Sequence, residues 1–355
     1  MAYSSIVKPT DYFNTVLYNG NDASSHAITG VGFQPDWVWI KARNSTKPHC
    51  LFDPVRGVQK FLSSDSNGSE TSDSTTLLSF DSDGFTIGAS GKINAAGHND
   101  ISWNWKAGNS SGSSNSDGSI TSTVSANTTA GFSIVQFVGN ETSGDTVGHG
   151  LGSVPAMIII KKKSTSSSQD WVVNHKGLAN QTQAHLTLNT TNASGNNTTL
   201  FDNTAPTSSV FSVGANSATN ASGATYIAYC FAEKKGYSRF GSYTGNGLDD
   251  GPFVYTGFKP AFVLGKRTDN AGGWWMSDNK RSNGFNLNDE YLISNSSNTE
   301  QDDGSFASDF LANGWKARAT NGNFNADDGT YVYMALAENP FVANDSGTAV
   351  PVTAK

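Results

Sequence analysis

A short apolar stretch occurs three times along the chain and predicts its main strands. Each copy contains a glycine turn, a proline, an apolar run and a lysine six positions after the proline. Proline lacks a backbone hydrogen-bond donor, so a sheet tolerates it at the first residue of a strand, where pairing has not yet begun. The three copies are residues 31–41, 151–161 and 257–266, with Pro35, Pro155 and Pro260 in equivalent positions.

Both faces of the apolar run carry hydrophobic side chains, which predicts a central strand covered on each side. The third residue after each proline is β-branched and therefore suits a pleated surface. It is Val38, Ile158 or Val263. Side chains alternate along a strand, so the opposite face receives the preceding residue, which is Trp37, Met157 or Phe262. A short buried helix is the alternative, but the flanking glycine and proline favour a strand.

Further elements accompany this strand in the same order in every copy. An aromatic-x-Gly-Asn turn precedes it, because Gly and Asn tolerate positive φ, and a second aromatic segment follows it. Two predicted strands then close each copy, at 84–87 and 101–105, at 210–213 and 226–231, and at 314–317 and 331–336.

The first and third copies also share an aspartate and an arginine three positions apart. These pairs are Asp53 with Arg56 and Asp278 with Arg281. We expect each to form a local ion pair at a turn. Such a pair contributes only about 0–1 kcal/mol to stability where it is exposed to solvent.

This repetition predicts an all-β fold of three tandem homologous antiparallel β-sandwich domains. The domains are 1–108, 131–235 and 236–338, named here the first, second and third repeats. A unit of about 100 residues is large enough for its own core. Residues 109–130 are rich in Ser, Gly and Asn and are interpreted as a flexible or loosely laid linker. Residues 339–355 are interpreted as a tail that either is free or docks on a neighbour.

Composition agrees with many short strands joined by turns. Only 15% of the 355 residues are charged, mean hydropathy is -0.40, and 37 residues are glycine. Aromatic residues make up 11% of the chain, which argues against intrinsic disorder. The net charge of -7 argues against a nucleic-acid partner, because phosphate binding requires a basic surface. The one basic cluster, 161–163, is interpreted as a solvated strand end that discourages aggregation.

The cysteines and the termini indicate the compartment. Cys50 and Cys230 fall in different repeats, so two isolated buried thiols are expected rather than a disulfide framework. Residues 1–5 have neither the basic segment nor the apolar core of a signal peptide. No apolar run approaches the roughly 18 residues that a membrane span requires. We expect a soluble protein made in a cytoplasm, without membrane insertion.

The chain shows no motif of known catalytic chemistry, so we predict no enzymatic activity, no cofactor and no metal site. Its six histidines lack metal-ligand spacing, and it has no nucleophile elbow, phosphate-binding loop or CxxC pair. His149 is interpreted as a turn residue bonded to the backbone. Acidic pairs at 249–250, 302–303 and 327–328 offer weak Ca²⁺ ligands beside glycines, but solvated turns are the favoured interpretation.

Trp274 and Trp275 are the speculative binding residues. They follow a glycine pair, and neighbouring side chains on a strand face opposite ways. One ring should lie in the core, while the other offers an exposed platform for a sugar ring or a protein partner. The alternative is that both rings are buried, between sheets or at a domain joint.

Several motifs together carry a resemblance to a known family. They are GFQPDWVWIK at 32–41, LFDPVRG at 51–57, WNWKAG at 103–108, GHGLG at 148–152 and YSRFGSYTGNG at 237–247. In these motifs the chain resembles a family of virion structural proteins from marine tailed bacteriophages, over about residues 12–340. Members are described as structural, tail-fibre-like or head-decoration-like. The resemblance implies a lectin-like or jelly-roll-like sandwich and no catalytic residues.

We therefore expect a non-enzymatic virion surface protein, either a tail fibre or appendage component or a knob-like capsid decoration. It would act in particle architecture and host-surface attachment. The alternative is a carbohydrate-binding lectin module that recognises host polysaccharide. A glycan-cleaving enzyme, with two carboxylates about 5–10 Å apart across a groove, is the weakest hypothesis.

The expected partners follow from this function. They are other virion proteins of the capsid or tail and a host-surface glycan, and a homo-oligomer is a further expectation. The expected location is the virion, assembled in the host cytoplasm.

Overall fold

The computed structural model shows an all-β protein made of several antiparallel sheets. It describes residue 4, residues 6–164, 167–282 and 285–340, and the backbone of 342–345 and 348–351. The remaining residues of the predicted tail and residues 1–3 and 5 of the first repeat lie outside the described residues. Among the described helices, none is long and apolar enough to cross a membrane.

The first repeat contains a four-stranded and a three-stranded sheet, in the orders β1-β9-β3-β4 and β2-β8-β7, and a small β5-β6 pair. A 3₁₀ turn at Pro9–Asp11 precedes them. The strands are β1 (Phe13–Asn19), β2 (His26–Thr29), β3 (Trp37–Ala42), β4 (Cys50–Phe52), β5 (Lys60–Phe61), β6 (Thr71–Ser72), β7 (Leu77–Asp81), β8 (Gly84–Ile87) and β9 (Asn99–Trp105).

The second repeat forms an eight-stranded sheet, β10-β11-β12-β19-β14-β15-β16-β17, and a two-stranded sheet, β13-β18. Two of these strands, β10 (Ser113–Asn115) and β11 (Ser122–Asn127), belong to the predicted linker, which is therefore paired structure and not a loosely laid connection. The others are β12 (Phe132–Val138), β13 (Asp145–Gly148), β14 (Pro155–Lys162), β15 (Val172–His175), β16 (Ala184–Thr187), β17 (Gly195–Asn196), β18 (Val210–Val213) and β19 (Thr225–Ala232).

The third repeat contains sheets in the orders β20-β27-β22-β23-β24 and β21-β26-β25. Its elements are β20 (Ser238–Thr244), β21 (Phe253–Tyr255), β22 (Phe258–Arg267), β23 (Trp275–Asp278), β24 (Leu292–Ile293), β25 (Ser308–Leu311), β26 (Gly314–Ala317), the short helix α1 (Gly322–Asn325) and β27 (Thr330–Pro340). In the predicted tail, β28 (Val342–Asp345) and β29 (Thr348–Pro351) pair as a hairpin.

The main sheet has the same strand order in each repeat. Its first strand pairs with the last, which pairs with the strand of the repeated apolar stretch, as in β1-β9-β3, β12-β19-β14 and β20-β27-β22. The prediction of a central strand is confirmed, since all six residues of β3 are buried, and the helical alternative is wrong. Pro155 begins its strand, whereas Pro260 lies inside β22 where the register shifts, a position that a missing donor also permits.

The two faces of this central strand contact different cores. Val38, Ile158 and Val263 each belong to a cluster that lies within their own repeat. The opposite face contributes to one cluster that all three repeats share, which we name the common core. On the central strands, the equivalent positions that contribute to the common core hold Trp37, Met157 and Phe262. On the last strands, the equivalent positions hold Trp103, Tyr229 and Met334.

The glycine of the aromatic-x-Gly-Asn turn is required by a close backbone contact. A Cβ on Gly20, Gly139 or Gly245 would lie 2.1, 2.5 or 2.2 Å from a main-chain carbonyl oxygen. These three glycines do not have positive φ, so the reason for which glycine was expected in this turn does not apply to them. Positive φ does occur three residues before each proline, where Gly32, Gly152 and Gly257 have φ of +87, +63 and +83°.

A buried asparagine holds this turn in each repeat. Asn94, Asn220 and Asn325 have no exposed surface, and their side-chain oxygens accept from the backbone N–H of Asn21, Asn140 and Asn246 at 3.1, 2.9 and 2.9 Å. These residues were not predicted from the sequence. They could have been recognised there as an Asn-Ala pair that recurs nine positions before Trp103, Tyr229 and Met334.

Gly20→Ala tests the close contact in the turn. We expect a loss of about 1–3 kcal/mol in the free energy of unfolding, because the methyl group overlaps the Ala95 carbonyl. Urea denaturation measures the loss. Gly91→Ala is the matched control, since a Cβ there meets nothing within 4 Å. Equal stability of the two variants would contradict the explanation.

Candidate functional site

Trp274 and Trp275, the predicted binding residues, are both buried, each with 1% of its surface exposed. The prediction of an exposed platform is therefore wrong, and the alternative that both are buried is the one observed. The two side chains do face opposite ways, as expected of neighbours on a strand. Trp274 lies in the common core and Trp275 in the core of the third repeat.

Trp274 joins the third repeat to the second. Its indole Nε1 donates to the carbonyl oxygen of Thr187 at 2.9 Å. Trp171 occupies the equivalent position of the second repeat and donates to Ser63 of the first at 2.9 Å. His49, in the first repeat, places its Nε2 3.1 Å from the carbonyl oxygen of Ile293 in the third. These three contacts run from each repeat to the next and close a cycle.

A second set of contacts follows the same cycle. It joins the last strand of one repeat to the end of the short strand of the next, at Asp53 directly after β4, at His175 in β15 or at Asp278 in β23. The Tyr229 hydroxyl donates to Asp53 at 2.8 Å, Trp103 Nε1 donates to Asp278 at 3.1 Å, and His175 Nε2 lies 3.1 Å from the Tyr333 carbonyl oxygen. Backbone bonds make the third set, from Glu70 to Lys163, Ser194 to Thr268 and Glu300 to Arg43.

The predicted Asp–Arg pairs form, but inside the protein. Arg56 lies 2.5 Å from Asp53 and Arg281 lies 2.7 Å from Asp278, and all four side chains have no exposed surface. The expected local pairs are therefore present, but the low value of an exposed pair does not apply to them, because both aspartates lie at a contact between repeats. Removing one partner of a buried pair is costly, since it leaves an uncompensated charge.

The lysines that end the repeated stretch are buried as well. Lys161 has no exposed surface and Lys162 has 4%, so the solvated strand end predicted for 161–163 is wrong. Lys161 donates to carbonyl oxygens of Asn67 and Gln169 at 2.8 and 2.7 Å. Burial lowers the pKa of Lys41, Lys161 and Lys266 from 10.5 to about 8. Backbone carbonyl oxygens thus solvate an ammonium group that water would solvate at the protein surface.

His49 is held neutral at its contact. Trp39 Nε1 donates to its Nδ1 at 2.9 Å, so its Nε2 carries the hydrogen that Ile293 accepts. Burial lowers the pKa of His49 from 6.5 to about 3. The other histidine singled out, His149, is buried with its Nε2 3.2 Å from the Thr207 carbonyl oxygen, consistent with a turn residue bonded to the backbone.

Exposed aromatic side chains lie elsewhere, on β21 of the third repeat. Phe253 and Tyr255 are 45% and 52% exposed, and Val254 between them faces the core of the repeat. We name this surface the aromatic face. Gly314 lies opposite Tyr255 on β26, and a Cβ there would come within 2.9 Å of the Phe253 ring. The Phe253 ring therefore rests against the backbone of the sheet.

An open cleft of about 280 Å³ adjoins the aromatic face. Tyr255 and Thr256 line it on one side, and Glu233, Lys235, Ser238 and Arg239 on the other. Arg239 donates to Glu233 at 2.6 Å, with 45% and 25% of the two side chains exposed. The alternation Phe-Val-Tyr at 253–255 was the sequence signal for this face, and the sequence reading did not use it.

The acidic pairs divide between ion pairs and turns. Asp250 lies 2.5 Å from Lys316. Asp249 and Asp303 line an open cleft of about 330 Å³, and hydrogen bonds from Ser305 lower the pKa of Asp303. Within the described part of the chain, no group of three His, Cys, Asp or Glu residues is arranged to hold a metal ion. Cys50 and Cys230 are free and buried.

Fold and site together define an all-β protein with sheets packed around a common core and an aromatic face on one repeat. The profile of one family matches residues 8–340, so the chain belongs to that family, which is described as a domain of unknown function (DUF7483). No curated protein and no solved structure matches the chain.

Trp274→Phe tests the contact between the third and second repeats. It removes the Nε1 donor and leaves the Thr187 carbonyl oxygen unpaired, at a cost of about 1–3 kcal/mol beyond the loss of ring size. Trp275→Phe is the matched control, because the Trp275 Nε1 has no hydrogen-bond partner among the described residues. Urea denaturation should show the larger loss for Trp274→Phe; equal losses would argue against the contact.

His49→Gln tests the neutral histidine through pH. Between pH 6.5 and 3 the unfolded histidine binds a proton that the folded one does not. The contribution of His49 to the stability of the wild-type protein is therefore complete above pH 6.5 and decreases as the pH falls below 6.5. The destabilisation caused by His49→Gln should therefore shrink by about 2 kcal/mol between pH 7 and pH 5. Unfolding at both pH values measures this, and a constant difference would show that His49 titrates normally.

Proposed function

We propose that the protein is a non-enzymatic surface component of a bacteriophage particle, acting in particle architecture and host-surface attachment. We further propose that its three repeats are homologous β-sandwich domains that together make one rigid body. The observation that carries this proposal is the closed cycle of contacts between the repeats. A single chain with three like lobes suits a building block that must keep its shape on a particle.

The polar groups inside the protein support a structural role. The buried ion pairs, the buried lysines and His49 all bond to backbone or to a neighbouring repeat, so they hold the lobes together. Glycoside hydrolysis needs a carboxyl group with a raised pKa as general acid. In the cleft that Asp249 and Asp303 line, the pKa of Asp303 is lowered, which disfavours that chemistry there.

Mass spectrometry of density-purified particles, from the phage that carries this gene, tests the proposal. We expect the chain in intact particles at a constant ratio to the major capsid protein, and cryo-EM density for a three-lobed body on the head or the tail. The soluble fraction of the same lysate is the control for carry-over. Failure to find the chain in purified particles would remove the virion role.

A further inference from the structure

The outer sheet of the third repeat differs from its counterparts at two equivalent positions. Register places Phe253 and Tyr255 of β21 opposite Lys316 and Gly314. In the first repeat the equivalent residues on β2 are Ala27 and Thr29, both exposed. In the second repeat they are Thr146 and Gly148 on β13. Only the third repeat presents aromatic rings there.

The second repeat covers the same surface with its own chain. Ile120 donates its backbone N–H to the Thr146 carbonyl oxygen at 2.9 Å and forms a parallel bridge to Val147. A Cβ on Gly148 would lie 1.7 Å from the Asn115 side-chain oxygen. This surface is therefore covered at Gly148 in the second repeat, whereas Phe253 and Tyr255 of the third repeat are both about half exposed.

The size of the aromatic face favours a small extended ligand over a protein. An aromatic side chain buries roughly 150–250 Å² when it is covered completely. Two rings that are half exposed therefore offer about 200 Å², well below the roughly 800 Å² per partner of a stable protein interface. Residues two apart on a strand lie about 7 Å from each other on one side of the sheet, so a ligand can contact both rings at once.

The polar groups beside the rings indicate the ligand chemistry. The cleft lining carries two cationic side chains, Lys235 and Arg239, and one carboxylate, Glu233. Arg239 and Glu233 are partly exposed and paired, so the cleft has donors and acceptors for hydroxyl groups, with donors in excess. A saccharide combines apolar ring faces, which pack on aromatic rings, with hydroxyl groups that bond to such side chains. We propose that the aromatic face and the adjoining 280 Å³ cleft form a binding site for a saccharide chain.

This inference rests on the proposed attachment function, because it supplies the ligand class that a host surface would present. Binding is measured on the isolated full-length protein, whereas the virion role is measured on particles. Either proposal can therefore fail while the other holds.

The test is binding of the full-length protein to an array of neutral and acidic bacterial saccharides, followed by calorimetric titration with the best binder. Wild-type protein should bind at least one saccharide of the array. Phe253→Ala and Tyr255→Ala should each weaken its Kd by about tenfold, since exposed rings at the centre of a site contribute most of the binding energy. Phe285→Ala is the matched control, because Phe285 is 75% exposed in the same repeat but off this face.

Thermal unfolding of each variant confirms that the fold is kept, as expected for substitutions at exposed positions. Three results would overturn the proposal. They are the absence of binding to every saccharide of the array, binding that neither ring substitution weakens, and a dimer in sedimentation velocity that dissociates when the rings are removed. The last result would assign the aromatic face to contact between copies of the chain.

Discussion

Trp37 of the first repeat stacks on Tyr229 of the second, with ring centroids 4.4 Å apart, at the middle of the common core. Phe262 of the third repeat closes the same cluster against Trp105, 5.9 Å away. Each main sheet has two apolar faces, and its own outer sheet covers one of them. The other face is covered by the remaining two repeats, so burial of apolar surface drives the three together.

The common core also explains why the repeats differ where they meet. The first repeat supplies Trp39 and Trp103 at positions where the third supplies Leu264 and Met334. Protein interiors are close-packed. Three tryptophans at one set of equivalent positions would be too large for the common core, and three aliphatic side chains there would leave a cavity. A mixture of large and small residues fills the same volume, which requires that the three sequences diverge.

Sequence patterns predicted the strands, their order in each copy and the two apolar faces of the central strand. They failed for the exposed platform at Trp274 or Trp275 and for the solvated strand end at Lys161, since these side chains are buried. They predicted the Asp–Arg pairs but left their burial open. Alternation along a strand reports which side chains share a face, but it does not report what covers that face. Here the cover comes from residues about 100 to 250 positions away, such as Ile293 over His49, and nothing local in the sequence signals it.

The prediction of a flexible linker at 109–130 failed for a related reason. Its Ser, Gly and Asn content is typical of flexible connections, yet Ile120 and Val124 are buried against the second repeat and the strands around them pair with its sheets. The aromatic face was visible as Phe-Val-Tyr at 253–255, but a pair of rings on a strand does not reveal whether it points inward. Its exposure follows from the absence of a preceding linker in the third repeat, where β20 begins six residues after β19 ends.

The cycle of contacts runs through one polypeptide, and this gives the molecule a freedom that a true homotrimer lacks. In a homotrimer every substitution appears three times, so a site on one subunit is necessarily trivalent. In this chain each lobe is encoded separately, so Tyr255 occurs in one lobe while the equivalent positions of the other two hold Thr29 and Gly148. Three like repeats are thus compatible with a single copy of the saccharide site proposed above. Under the proposed function, avidity would have to come from the number of copies of the chain on the particle.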